Sequence, residues 1–68
     1  MLPRPYVYQA LEHDHLQVRR KAVFILLQDP DAKAIPYLEK MVDDEDFETR
    51  FFARQAIRQI NELTGNAE

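Results

Sequence analysis

Two short segments of the chain carry side chains of the types that bind metal ions. Glu12 to His15 reads "EHDH", and Asp43 to Asp46 reads "DDED". A zinc site usually has three or four ligands that converge from separate places, whereas the first segment offers two histidines around one aspartate. A calcium loop spreads oxygen ligands over about 12 residues around a central glycine, and the second segment has neither feature. Both segments are therefore predicted to be solvated turns, and we expect no metal and no other cofactor.

Three arginines recur at four-residue spacing, which places them along one strip of a helix. They are Arg50, Arg54 and Arg58. Such a strip could bind phosphate groups, but Glu48 and Glu62 flank it and the formal net charge of the chain is −3. These features favour a solvated strip, or a site for an acidic protein, over binding of nucleic acid.

The sequence has no set of residues typical of a catalytic site. It contains neither Cys nor Ser, and the hydroxyls of Thr49 and Thr64 have no obvious base beside them. A chain of 68 residues also leaves little room for a pocket that excludes water. We therefore expect a binding protein rather than an enzyme.

The composition is that of a globular protein, with 46% hydrophobic and 31% charged residues, and it predicts a single domain over residues 1–68. The longest apolar run, from Ala22 to Leu27, is too short to span a bilayer, and the opening "MLPRPYVY" lacks the apolar segment of a signal peptide. The absence of Cys fits a reducing compartment. The expectation is a cytoplasmic protein without membrane attachment.

The chain repeats itself at an offset of 31 residues. "PYVYQALEHDHLQVRRKA", which starts at Pro5, matches "PYLEKMVDDEDFETRFFA", which starts at Pro36. Identical pairs in this register include Tyr6 with Tyr37 and Arg19 with Arg50. A fixed period of this length is typical of stacked repeat units, here predicted over residues 4–30 and 32–63 with a tail at 64–68.

Each unit is predicted to form two helices, because its apolar residues follow helical rather than alternating spacing. The predicted bounds are 4–13, 16–28, 33–43 and 47–63. Asp14 and Gln17 resemble a capping box at the start of the second helix, and Gly65 is placed to end the last one. The repeated Tyr6 and Tyr37 are expected to pack between the units. The fold class is therefore all-α, with two helical hairpins stacked as a short solenoid.

These residues resemble HEAT repeats, and in particular the short type first recognised in phycobilisome lyases. That type reads roughly L-x-D-x-D-x-x-V-R-x-x-A, with A-I-P-x-L at the start of the unit. The residues that carry the resemblance are Leu11, Asp14, Val18, Arg19 and Ala22 in the first copy, Val42, Asp44, Thr49, Arg50 and Ala53 in the second, and Ala34, Ile35, Pro36 and Leu38 at the junction. The expected glycine at the end of the second helix is missing, and two units are fewer than such arrays normally need.

The resemblance implies a non-catalytic protein–protein interaction module, such as a small adaptor, scaffold or assembly factor. It also implies that Arg19 and Arg50 form a structural ladder with acidic residues of the turns, for which Asp14 and Asp44 are the candidates. An alternative is an accessory role in phycobilisome biology, either lyase-like attachment of a bilin or handling of phycobiliproteins. Nucleic-acid binding through the arginine strip is a more distant alternative.

The end of the array predicts where a partner binds. Stacked units cover one another, so the last helix has no later unit to cover it and lacks a polar cap. Phe51 lies on the far side of this helix from its core residues and beside Arg54 and Arg58. We expect these three residues to bind either a partner protein or a second copy of the chain, with Phe51 at the centre.

Overall fold

A computed structural model describes residues 4–65 and shows an all-α chain in this range. The helices are α1 (Arg4–Leu11), α2 (Leu16–Gln28), α3 (Ile35–Met41) and α4 (Phe47–Thr64), and a 3-10 turn (Ala32–Ala34) leads into α3. Helices α1 and α2 form one hairpin and α3 and α4 form the other, with α2 packed against α4 and α1 beside α3. The prediction of two stacked helical hairpins is confirmed. No helix in residues 4–65 is long and apolar enough to cross a membrane.

Helices α1 and α3 are shorter than predicted, for local reasons. The backbone N–H groups of Glu12 and His13 donate to carbonyls three residues earlier, at 3.0 and 3.2 Å, which tightens the chain and ends α1 at Leu11. Before α3, the Asp31 side chain accepts a hydrogen bond from the Lys33 N–H, so the chain forms a 3-10 turn there. Pro36 occupies the first turn of α3, where its missing N–H costs least.

Of the two predicted helix caps, the structure confirms one. Gly65 ends α4 in the left-handed conformation, at φ 72°, as expected. Helix α2, however, begins at Leu16 after His15, and no side chain caps it. The prediction that Asp14 caps this helix is wrong, because Asp14 lies one residue too early for its carboxylate to take the position of an N-cap. In the second unit the N-cap is Asp46, whose carboxylate accepts from both the N–H and the hydroxyl of Thr49.

A single apolar core runs through both hairpins. Its members are almost fully buried: Val7, Leu11, Ala22, Val23, Leu26, Ala34, Leu38, Met41, Ala53, Ala56 and Ile60. Thr49 is the one polar side chain buried with them in the described residues, and its hydrogen bond to Asp46 satisfies its hydroxyl. Val18 and Ile25 are only half-buried, since they line an open groove between α1 and α2.

Aromatic stacking joins α1 to α3, but the tyrosine of α1 that takes part is Tyr8 rather than the predicted Tyr6. The rings of Tyr8 and Tyr37 are parallel within 5° and their centroids are 4.9 Å apart, and the Tyr8 hydroxyl donates to Asp31. Tyr6 is 61% exposed, so the prediction that it packs between units is wrong. Its repeat equivalent Tyr37 meets the preceding unit, whereas residues 4–65 contain no unit that precedes Tyr6.

The Asp46 cap predicts how stability depends on pH. The backbone N–H of Thr49, then its hydroxyl, and to a smaller extent the Arg20 side chain, hold the pKa of Asp46 below its ordinary value. Because the folded-state pKa is the lower one, the unfolded chain binds the proton first, and stability falls as the pH drops through and below about 4. We expect Asp46→Asn to be less stable than the wild type at neutral pH, with a difference that shrinks as the medium becomes acidic. Urea unfolding of both proteins at a series of pH values measures this, and a difference that does not change with pH contradicts it.

Candidate partner-binding surface

Arg19, in the first turn of α2, joins the inter-helix turns of the two units. Its Nη1 donates to the carbonyl oxygens of His13 and Asp14 in its own unit, at 2.9 and 3.0 Å. Its Nε and Nη2 donate to the two carboxylate oxygens of Asp44 in the other unit, at 3.0 and 3.3 Å. Of the two proposed ladder carboxylates, only Asp44 takes part as a carboxylate in this contact. Asp14 contributes its backbone carbonyl, which lies where Arg19 can reach it within the same turn.

Three further ion pairs connect the units on either side of this contact. Arg20 donates to the Asp46 carboxylate at 3.1 Å and pairs with Glu48 at 2.8 Å, both at the start of α4. At the rim, Lys40 pairs with Glu12 at 2.8 Å, and this hydrogen bond, with the attraction of the charges, raises the pKa of Lys40. The interface between the units therefore places basic side chains of α2 on acidic side chains of the second turn and α4.

Arg50 repeats the position of Arg19 but has only half of its contacts. Its Nη1 donates to the carbonyl oxygens of Asp44 and Glu45 at 2.7 and 3.0 Å, as Arg19 does in the first unit. Its guanidinium carbon lies 5.7 Å from the centroid of the Phe47 ring. Within residues 4–65, no carboxylate meets its Nε and Nη2 in the way that Asp44 meets Arg19. Arg50 therefore binds its own turn. Of the predicted strip of three arginines, only Arg54 and Arg58 are exposed.

The segments first considered for metal binding form the two inter-helix turns. The Nδ1 atom of His13 accepts a hydrogen bond from the His15 N–H at 3.0 Å, and the two rings stack with centroids 5.7 Å apart. In the second turn, Asp44 accepts from the Asp46 N–H at 2.9 Å. In the described part of the chain, no group of three or more His, Asp or Glu side chains is arranged to hold a metal ion.

Phe51 is one member of a connected group of aromatic rings that spans α2 and α4. Its ring lies 6.4 Å from that of Phe47 and 5.1 Å, edge to face, from that of Phe52, which in turn lies 5.0 Å from Phe24. Phe24, Phe47 and Phe51 are 43%, 67% and 45% exposed, so the group is open to solvent. We call these four residues the phenylalanine patch. Phe24 thus stays exposed although α2 packs against the second unit.

A comparison with protein-family models matches HEAT repeats over residues 5–67. The chain belongs to the HEAT-repeat family. Comparisons with curated proteins and with solved structures find no significant match. HEAT repeats generally mediate protein–protein interaction, which agrees with an exposed aromatic patch on a stacked-helix scaffold.

The two HEAT units differ on the side of the second helix that, in the first unit, faces the following unit. In α2 this side is marked by Arg20, whose ion pairs point to α4, and by Val23 and Leu27, which follow at helical spacing. The equivalent residues of α4 are Phe51, Arg54 and Arg58. We call these three the outward face of α4. The buried Val23 is thus replaced by the exposed Arg54, and this face of α4 is a mixed aromatic and basic surface rather than an apolar one.

The contacts of the arginines predict different effects on folding. Arg50→Ala removes two charge-assisted hydrogen bonds to turn carbonyls, which we expect to cost about 1–3 kcal/mol of unfolding free energy. Arg54→Ala changes an exposed side chain and should stay within about 0.5 kcal/mol of the wild type. Urea melts of the two variants give the comparison. Equal urea midpoints for the two variants would contradict a structural role for Arg50 and would make it a candidate binding residue instead.

Proposed function

We propose that the chain is a non-catalytic protein-binding module, an adaptor or assembly factor, whose contact surface is the phenylalanine patch with its flanking arginines. One observation carries the proposal. All four phenylalanines of the chain come from two separate helices and meet on one exposed surface. None of the four belongs to the almost fully buried core: Phe24, Phe47 and Phe51 are exposed, and Phe52 is half-buried and packs against the core beneath them.

The patch has the properties of a binding surface rather than of ordinary exposed apolar residues. Isolated apolar side chains at the surface are common, whereas a contiguous apolar patch bordered by polar residues marks an interaction site. Aromatic residues and arginine are the types most enriched at the centres of protein interfaces. The side chains gathered here include neither a nucleophile nor a general base, which supports binding rather than catalysis.

A rigid scaffold positions the patch. Phe24 and Phe52 belong to different units, and their contact depends on the packing of α2 against α4. The Arg20 ion pairs and a hydrogen bond of 2.7 Å from the Gln59 side chain to the Leu27 carbonyl fix that packing at its two ends. The surface is therefore already formed before a partner binds, which lowers the entropy cost of association.

The phycobilisome-lyase type of HEAT repeat suggests a finer function, an accessory role with bilins or phycobiliproteins. The motif residues from Leu11 to Ala22 and the Ala34-Ile35-Pro36 junction support it. Titration of the protein with a free bilin tests it, since a bound bilin should show a shifted absorption band. An unchanged spectrum, together with no binding of phycobiliprotein subunits, would contradict the phycobilisome role and retain only the general protein-binding function.

Nucleic-acid binding has less support than it had from sequence alone. Arg50 is half-buried and donates to carbonyls of its own turn, so two rather than three arginines of the strip remain exposed. Phosphate binding draws its affinity from the number of cations that neutralise the backbone, and two give little.

The phenylalanine patch predicts that Phe51→Ser abolishes binding without unfolding the protein. A photo-crosslinking residue placed at position 47, at the edge of the patch, should capture a protein in the native host, and the added Phe51→Ser change should remove that crosslink. Leu63→Ser is the matched control, because Leu63 is also exposed, at 68%, but has no contact with the patch. Circular dichroism checks that each variant remains helical. An undiminished crosslink in Phe51→Ser would move the binding surface elsewhere, first to the exposed Tyr6 on α1.

A further inference from the structure

The outward face of α4 has a charge pattern that selects its occupant. Arg54 and Arg58 are four residues apart on one side of the helix, beside Phe51. A purely apolar helix packed here would cover both guanidinium groups without giving them hydrogen-bond acceptors. The free energy lost by desolvating these two charges would exceed the free energy gained from the apolar contact. An occupant therefore needs carboxylates at matching positions as well as an apolar contact for Phe51.

The contact between the two units shows how such charges are met within this fold. Arg19 and Arg20 project from α2 and receive the carboxylates of Asp44, Asp46 and Glu48. Arg50 occupies the place of Arg19, and its Nη1 makes the same contacts with its own turn. Its other guanidinium nitrogens meet no carboxylate in the described residues. A partner with an acidic residue at the place equivalent to Asp44 would complete this second contact.

A second copy of the chain, stacked in the register of its own repeat, fails this requirement. The first unit of that copy would present His13 and His15 where the second unit has Asp44 and Asp46. It would also present Lys21 where the second unit has Phe52, against a face that carries Arg54 and Arg58. The contact would bring cations together and supply no carboxylate at these positions, so head-to-tail stacking of identical chains is disfavoured.

We propose that the outward face of α4 binds an acidic helical segment of a different protein. Carboxylates about one helical turn apart in that segment pair with Arg54 and Arg58, a further one reaches Arg50, and an apolar side chain covers Phe51. A helix fits because the basic residues themselves follow helical spacing, and because the equivalent face of α2 meets its own neighbour, α4, by helix-on-helix contact. This inference rests on the proposed protein-binding function and specifies the chemistry of the partner.

A displayed library of helix-forming peptides of about 16 residues tests the proposal, with the full chain as bait. We expect enrichment of sequences that carry Asp or Glu at four-residue spacing together with an apolar residue on the same side. The enriched peptide, labelled for fluorescence anisotropy, should bind about tenfold more weakly to Arg54→Gln/Arg58→Gln than to the wild type at low salt. Its version with Gln in place of the acidic residues should lose a similar factor.

Matched controls separate this inference from the function on which it rests. Lys21→Gln removes an exposed charge from the opposite end of the array and should leave affinity unchanged. Enrichment of apolar peptides that need Phe51 but ignore Arg54 and Arg58 would overturn the acidic partner and retain the protein-binding function. A library without any enriched sequence would count against both. A concentration-dependent dimer in light scattering that is lost in Arg54→Gln/Arg58→Gln would show that the occupant is a second copy and overturn the proposal.

Discussion

The contact of Arg19 with two turns is the interaction on which the rest of the structure depends. One guanidinium group holds two carbonyls of its own turn and both carboxylate oxygens of Asp44, so the position of one hairpin fixes that of the other. The planar fork of arginine makes this possible, because its donors point in fixed directions and can serve two acceptor groups at once. The aromatic contact of Phe24 with Phe52, which unites the phenylalanine patch, depends on the same alignment of the hairpins.

The function proposed for the chain comes from the differences between its two repeats rather than from what they share. The shared residues build the fold: the arginine position, the small alanines and the core aliphatic side chains. At the outward side of the second helix, Arg20, Val23 and Leu27 of the first unit become Phe51, Arg54 and Arg58 in the second. The first set joins two units within the chain, whereas the second set is exposed and forms the surface proposed to bind a different molecule.

Much of the fold could be predicted from sequence because it depends on local spacing and on the repeat. Apolar periodicity gave the four helices, and Gly65 marked the end of α4 because only glycine adopts a positive φ easily. The misplaced cap at Asp14 and the choice of Tyr6 over Tyr8 are errors of one or two residues, which sequence spacing does not resolve. The phenylalanine patch was harder to predict, since Phe24 and Phe52 are distant in sequence and meet only after the hairpins pack. The contact of Phe47 with Phe51 could have been predicted, because residues four apart lie side by side on a helix.

A double-mutant cycle between Arg19 and Asp44 tests the central claim most directly. Unfolding free energies of the wild type, Arg19→Ala, Asp44→Ala and the double variant give the coupling energy of the two side chains. If this pair aligns the hairpins, the coupling should be about 1–3 kcal/mol, above the range of an ordinary exposed ion pair. Additive effects of the two substitutions, with a coupling near zero, would show that the hairpins are held by their apolar contacts alone and would contradict the account.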